Sequence, residues 1–265
     1  MTTLFVSDLH LSSARPAQLR LFLEFIACAR QGVQALYILG DLFEVWLGDD
    51  DHTPPNTAVV AALATLTSAG VALHVGCGNR DFLYGPRFVA ASGARLLDDY
   101  AVIDLYNTPT LVTHGDLLCT RDLNYQRFRR VVRHPLTRHL FLATPLAWRQ
   151  RIAQRTRAGT TASMRRKDDA IMDVDETTVA QVMARYDVKL LIHGHTHRPA
   201  VHDYGPDQRR RIVLGDWYEQ DAVLVCDRSG QRAMRVSEFL GGRNTPSELN
   251  SDSDQLQQEV RRDSV

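Results

Sequence analysis

At 265 residues, with 44% apolar and 23% charged side chains, the chain has the composition of an ordinary globular protein with ample material for a buried core. Thirty-one Lys and Arg balance thirty-one Asp and Glu, so the chain as a whole has no excess charge to attract polyanions, and any anion affinity must come from local clustering. Four cysteines (Cys28, Cys77, Cys119, Cys226) lie far apart with no Cys-x-x-Cys pair, as expected of reduced, mostly buried thiols in a cytosolic protein.

Met1-Thr-Thr runs straight into an apolar strand, so no secretory signal is expected. The longest apolar stretch, Leu140 to Trp148, is about half the length of a membrane-spanning helix and contains Thr144 and Pro145. Any membrane contact is expected to be peripheral.

In chain order, Leu4 to Val6 reads as a strand, and Pro16 to Arg30 as a helix with Leu19, Phe22, Leu23 and Ile26 on one face. Ala35 to Leu39 is the next strand, Asn56 to Ala69 a second helix, and Val71 to Val75 a third strand. This βαβαβ order predicts a layered α/β core with parallel strands. After Ala94 strands follow closely, at Leu96-Leu97, Ala101 to Leu105 and Thr110 to Thr113. A helix near Asp175 to Tyr186 then precedes strands at Lys189 to Ile192, Arg211 to Leu214 and Ala222 to Val225.

Two segments stand apart. Arg121 to Lys167 holds thirteen of the 31 basic residues and one acid, Asp122, interleaved with Leu136, Leu140, Phe141, Leu142, Leu146 and Trp148. It reads as a basic, amphipathic helical insert at about 121–170. The tail from Gly241 to Val265 is rich in Ser, Asp, Gln and Asn and is expected to be disordered, beyond a domain spanning 1–240.

Five strand ends carry one kind of chemistry: Ser7-Asp8-Leu9-His10, Leu39-Gly40-Asp41, Gly78-Asn79-Arg80-Asp81, Thr113-His114-Gly115-Asp116, and His193-Gly194-His195-Thr196-His197. In layered α/β proteins ligands bind beyond the carboxyl ends of strands, so these ends are expected to converge. Asp, His and Asn form an oxygen and nitrogen donor set suited to Mn, Fe, Zn or Mg. Seven candidates exceed the needs of one ion and suffice for two that share a carboxylate, an arrangement that can clamp a phosphoryl group and activate a water.

Asp-x-His, Gly-Asp, Gly-Asn-x-Asp, His and Gly-His-x-His, in that order, resemble the signature of the calcineurin-like metallophosphoesterases. Leu39-Gly-Asp-Leu-Phe-Glu44, Gly48-Asp-Asp-Asp51, Gly78-Asn-Arg-Asp-Phe-Leu83, Ala170-Ile-Met-Asp-Val174 and Ile192 to Val201 narrow the resemblance to the branch acting on UDP-2,3-diacylglucosamine in the lipid A pathway. The resemblance implies a four-layer αββα sandwich and two Mn2+ ions. One ion would be held by Asp8, His10, Asp41 and His197, the other by Asp41, Asn79, His114 and His195. It further implies hydrolysis of the substrate's pyrophosphate to UMP and the diacylated sugar 1-phosphate (lipid X). The attacker would be a metal-bound hydroxide, directed at the nucleotide-side phosphorus, with Asp41, Asn79, Arg80 and His195 as the catalytic group. Asn79, Arg80, Asp122, Tyr125, Arg157, Thr160, Lys167 and His195 match positions that contact substrate in related enzymes, whereas Met164 departs from the polar residue expected there.

Arg80 stands where many superfamily members have histidine. It is always charged and can grip a phosphate through two N–H groups, but it cannot serve as a general acid near neutral pH. A phosphorylated sugar leaves with little protonation, so the exchange is tolerable. Ser7 replaces the usual glycine of the first motif, and Glu44 a frequent second aspartate. The basic, apolar insert suits an anionic head carrying two acyl chains and an anionic membrane surface. The protein is thus expected to be a monomer, peripheral on the cytoplasmic face of the inner membrane, with no nucleic-acid partner. His52, His74, His134, His139 and His202 are expected to be structural, His193 to bond within the sheet, Phe43 and Trp46 to pack, and Asp81 and Asp116 to orient arginine or histidine. Two alternatives are a nucleotide pyrophosphohydrolase or phosphodiesterase acting on soluble substrates, and an arginine-rich nucleic-acid binder with a vestigial metal site.

Overall fold

The computed structural model describes residues 2–164, 173–205 and 208–242, the side chains of 157–164 excepted. Eleven strands among these residues form two sheets. They are β1 (Thr2–Val6), β2 (Val33–Ile38), β3 (Ala72–Val75), β4 (Arg95–Leu96), β5 (Ala101–Asp104), β6 (Pro109–Thr113), β7 (Leu190–His193), β8 (Ala200–Tyr204), β9 (Arg209–Val213), β10 (Ala222–Asp227) and β11 (Gly230–Arg235). The first sheet runs β11-β10-β1-β2-β3-β4 and the second β5-β6-β7-β9-β8. Neighbours from β1 to β4 are parallel, as are β6, β7 and β9, while the outer strands β10, β11, β5 and β8 pair antiparallel.

Successive side chains of a strand leave opposite faces, and the central strands are apolar on both. Leu4 and Val6, with Leu36 and Ile38, face one core, while Phe5, Ala35 and Tyr37 face another. The second sheet does the same, sending Val112, Leu190 and Ile192 inward to meet Phe5 and Tyr37, and Leu111 and Leu191 outward. Three hydrophobic layers separated by two sheets are therefore written into the alternation.

The eight helices described are α1 (Pro16–Ala29), α2 (Asn56–Ser68), α3 (Pro86–Ser92), α4 (Leu123–Val132), α5 (Pro135–Leu142), α6 (Leu146–Met164), α7 (Glu176–Arg185) and α8 (Val236–Gly241). Helices α1, α2, α3 and α8 cover the first sheet through Phe22, Phe25, Leu63, Phe88 and Phe239. Helix α7 covers the second through Val179 and Met183. The result is a four-layer αββα sandwich. Proline opens α1, α3 and α5, where its missing N–H costs nothing. Asp175 caps α7 by accepting the Thr178 N–H at 2.9 Å.

Helices α4 to α6 follow β6 and are tied to the sandwich by arginines. Arg129 Nε donates to Asp116 at 2.7 Å and its terminal nitrogen to Asp99 at 2.7 Å, while Arg133 reaches Asp99 at 2.9 Å and the Gly78 carbonyl at 2.7 Å. Arg149 is fully buried and donates to the Leu47 carbonyl, the Thr144 carbonyl and the Asp50 carboxylate. The acidic run at residues 49–51 is thus structural. Asp50 holds Arg149, Asp49 accepts the N–H groups of Gly85, Arg87 and Phe88 at the start of α3, and Asp51 accepts from Thr53.

Strands β8 and β11 and helices α3 and α8 were not expected from the pattern. β8 and β11 are outer strands with no buried side chain, so they lack an apolar run, and α3 and α8 are each no more than two turns long. The segment 243–265, expected to be disordered, lies outside the described residues, as does 165–172.

Candidate metal centre

The polar ends of β1, β2, β3, β6 and β7 meet at one end of the inner layer. His197 Nε2 lies 3.3 Å and His10 Nε2 4.0 Å from Asp8 Oδ1, and His10 Nε2 is 3.7 Å from Asp41 Oδ2. On the other side of Asp41, the same Oδ2 lies 3.9 Å from His114 Nε2. That nitrogen is 3.3 Å from Asn79 Oδ1 and 3.2 Å from His195 Nδ1. All seven ligand candidates come together: Asp8, His10 and His197 form one cluster of donor atoms, Asp8, Asp41 and His114 another, and Asp41 Oδ2 lies between His10 and His114.

The two aspartates are oriented alike. Asp8 Oδ2 accepts the His195 N–H at 2.8 Å and Asp41 Oδ1 accepts the Arg80 N–H at 2.8 Å, so each carboxylate turns its other oxygen toward the imidazoles. The Asp41 turn is pinned from behind by Asp81. Its carboxylate accepts N–H groups from Gly78 (2.8 Å), Asp41 (3.2 Å) and Leu42 (2.7 Å) and the Tyr84 hydroxyl (2.6 Å). Asp81 therefore orients backbone rather than arginine or histidine. Asp116 does hold arginine, through Arg129, and accepts the Tyr125 hydroxyl at 2.5 Å.

Five of these residues adopt a left-handed backbone conformation: Asp8 (φ 57°), His10 (47°), Asp41 (53°), His195 (70°) and His197 (55°). Such conformations are uncommon outside glycine and collect at functional sites, where surrounding structure holds them. Close approach is enforced at Gly78, where an added Cβ would lie 2.0 Å from Asp41 Oδ1.

The donor set fits divalent cations. Asp8 and Asp41 are essentially inaccessible to water, and Asp8 Oδ1 faces two imidazole nitrogens within 4.0 Å. Burial, with the charges of Asp81 and Asp8, pushes the Asp41 carboxyl up to about 8. Burial opposes ionisation of Asp8, yet the His197 bond and the charges of His114, His197 and His10 hold it well below the usual carboxylate range. Burial opposes charging of His197 as well, but its bonds to Asp216 and Asp8 raise it to about 10, whereas burial drives His10 down to about 4 and, with His114, takes His195 to about 4. Protons thus crowd an anionic pocket of lone pairs where positive charge is wanted. Oxygen and imidazole donors without thiolate suit hard or borderline divalent ions.

Arg80 borders the cluster, 3.7 Å from Glu44, and its Nε is buried without a hydrogen-bond partner. Tyr125 lies at the opposite edge, its ring 6.1 Å from His195, while Asp122 caps α4 by accepting the Tyr125 N–H. The side chains of Arg157 and Thr160, and all of Lys167, fall outside the described residues. Off the site, Phe43 and Trp46 pack at 4.8 Å and His74 stacks on Tyr37 at 4.5 Å. His52, His134 and His139 are exposed, and His202 is half-buried. His193 bonds just past its strand, donating to the Gly194 carbonyl at 2.8 Å and accepting from Arg211 at 3.4 Å.

One site residue escaped the sequence reading. Asp216, on the turn before β10, sits 3.1 Å from His197 Nδ1. The signal was present, since Leu214-Gly215-Asp216 follows a strand as Leu39-Gly40-Asp41 does.

Residues 1–199 match the family model described as calcineurin-like phosphoesterase. The chain belongs to this family. It is a hydrolase, metal-dependent as the family is. It is 47% identical to a UDP-2,3-diacylglucosamine hydrolase of Aeromonas hydrophila over 88% of this chain and 97% of that protein. It is 49% identical to one of Serratia proteamaculans (84% and 94% covered) and 48% identical to one of Xanthomonas oryzae pv. oryzae (87% and 97% covered).

Metal binding must expel the protons that Asp41 and His197 hold in the metal-free protein, whose pKa values of about 8 and 10 lie above neutrality. Affinity is therefore full only above these values and falls as pH drops through them. Calorimetric titration of the metal-free protein with Mn2+ between pH 6 and pH 9, in buffers of differing ionisation enthalpy (working conditions, roughly spanning neutrality), should show proton release and weakening toward acid. Binding independent of pH would contradict the account.

Proposed function

We propose that this protein hydrolyses the pyrophosphate bond of UDP-2,3-diacylglucosamine, releasing UMP and 2,3-diacylglucosamine 1-phosphate. Two divalent ions, Mn2+ by preference, would be held by Asp8, His10, Asp41 and His197 and by Asp41, Asn79, His114 and His195. The observation that carries this reading is the meeting of two donor groups at Asp41 Oδ2, beside an arginine with an unpartnered buried N–H. The shared name of the relatives, at nearly half identity over most of both chains, supports the substrate. When bound, such ions clamp phosphoryl oxygens and bring the pKa of a coordinated water toward neutrality.

The chain's own residues do the rest. Asp41 would contribute to both metal positions, and Asn79 and His195 would help hold the second and orient the phosphate to be attacked. Arg80 fixes Asp41 through its backbone N–H and grips the pyrophosphate through its guanidinium. Being permanently charged, it stabilises the anion without giving up a proton. Attack at the nucleotide-side phosphorus makes the phosphorylated sugar the leaving group, which needs no acid. Asp122 and Tyr125, at the His195 edge, are assigned to that sugar, and Arg157, Thr160 and Lys167 are assigned to it on the resemblance alone.

Residues 1–240 would act as one catalytic domain, a monomer since the candidate site needs only one chain, with 121–170 as its cap. Eight of the twelve exposed large apolar residues described lie on α4 to α6, among them Leu136 (60% exposed), Leu140 (59%) and Trp148 (61%). Exposed Arg127, Arg130, Arg151 and Arg155 lie among them. No described helix is long and apolar enough to cross a membrane. An apolar surface edged with arginine suits both acyl chains and an anionic bilayer, so we place the enzyme at the cytoplasmic face of the inner membrane.

Turnover of detergent-dispersed UDP-2,3-diacylglucosamine should require Mn2+, stop with EDTA, and place oxygen from labelled water in UMP. Equal rates on UDP-glucose or bis(p-nitrophenyl) phosphate would sink the lipid reading. Arg80→Ala should keep its metal content and lose activity by about 100-fold or more, the scale of one lost charge-stabilising group; loss of metal would show that its role is misplaced. Sedimentation with vesicles containing anionic lipid should carry the protein down at low salt. A double change, Leu140→Ser with Trp148→Ser, should release it without altering metal content, and unchanged sedimentation would remove the cap from the membrane contact.

A further inference from the structure

The two donor groups differ in what stands behind them. On the first, the turn from Gly215 to Gln220 bonds to His197 and to Asp8 and approaches His10 through Glu44. Asp216 is 5% exposed, and its Oδ1 accepts the N–H groups of Tyr218 and Glu219, each at 3.0 Å, which fixes the carboxylate. Its Oδ2 faces His197 Nδ1 at 3.1 Å. With Nδ1–H donating to that oxygen, His197 directs Nε2 toward Asp8 Oδ1, 3.3 Å away, and would offer it to a metal once its proton is lost.

The same turn continues. Trp217, buried against Phe22 and Phe25, donates its N–H to the Asp8 carbonyl at 3.3 Å. The Tyr218 hydroxyl donates to Glu44 Oε2 at 3.0 Å, and that oxygen lies 3.4 Å from His10 Nδ1. Gln220 Nε2 donates to the His197 carbonyl at 3.4 Å. On the second group, His114 Nδ1 meets only the neutral Leu39 carbonyl, at 3.0 Å. A carboxylate behind an imidazole fixes its tautomer and raises its basicity as a ligand, and loss of such a partner weakens metal binding by about 10- to 100-fold.

We propose that Asp216 is a positioning residue that sets the affinity of the first metal position, through His197, separately from the second. The inference rests on the two-metal reading above, and it assigns to the Gly215–Gln220 turn the task of holding one ion and not the other. Tyr218 and Glu44 extend the same support to His10.

The test is Mn2+ binding to the metal-free protein, followed by calorimetry and by the electron paramagnetic resonance of free and bound Mn2+. Wild type should take up two ions. Asp216→Ala should take up one ion as wild type does and bind the other about 10- to 100-fold more weakly, with activity lost at low Mn2+ and restored by excess. Asp216→Asn keeps an acceptor for Nδ1–H and should lose less. Equal weakening of both ions, or of neither, in variants whose thermal unfolding shows them folded would overturn the proposal. Should Asp216→Ala fail to fold, Asp216→Asn decides: one ion selectively weakened supports the assignment, and two wild-type affinities reject it. Wild type binding fewer than two ions would instead remove the two-metal reading, an outcome distinct from a two-ion enzyme indifferent to Asp216.

Discussion

Each of the two buried aspartates, Asp8 and Asp41, spends one oxygen on a backbone N–H and so aims the other at histidine. This small constraint governs the rest of the site. It requires Gly78 and Gly194 to approach without side chains, since a Cβ at Gly194 would lie 2.4 Å from Asp8 Oδ2. It also requires backbone turns tight enough to put Asp8, His10, Asp41, His195 and His197 in the left-handed region, a conformation costing about 1–2 kcal/mol per residue for most side chains. The sandwich bears that cost because the strands feeding these turns are buried on both faces.

Charge also organises the approach to the site. Arg129 and Arg133 bind α4 to Asp116 and Asp99, and Arg149 binds α6 to Asp50, so the inward face of the insert is ionic. Breaking the buried Arg129–Asp116 pair from one side would leave an uncompensated charge, at about 3–5 kcal/mol, which makes the attachment specific as well as firm. Most large apolar side chains of the same helices are exposed, while Phe141 packs on the core. An ordinary amphipathic helix packs its apolar stripe inward; here most of it faces out, as the proposed lipid contact requires.

The layered α/β core was legible because unbroken apolar runs such as Leu4-Phe5-Val6 and Leu190-Leu191-Ile192 alternate with helical patterns, while the four-layer arrangement came from the resemblance. The convergence of the strand ends was legible too, since parallel strands deliver their carboxyl ends to one side. Outer strands β8 and β11 carried no apolar run to betray them. Asp49, Asp50 and Asp51 belong to a stretch that marks the resemblance, yet their bonds go to helix α3, to Arg149 and to Thr53, not to the site. Asp216 was passed over for the opposite reason: a lone aspartate after a glycine resembles any turn, and only its 3.1 Å approach to His197 distinguishes it. The left-handed backbone of the donor residues has no signature in the one-letter code, because aspartate and histidine adopt it only where neighbours insist.

The cluster draws on residue 8 at one end of the chain and residue 216 at the other, with β10 beside β1 closing the first sheet only after both are in place. No fragment lacking the last fifth of the described chain contains the complete arrangement. Contacts separated by some two hundred positions form late in folding, since their loop closure must be met before they stabilise anything. A nascent or partly folded molecule would therefore present scattered, weak ligands instead of a centre, and metal capture becomes a property of the finished fold.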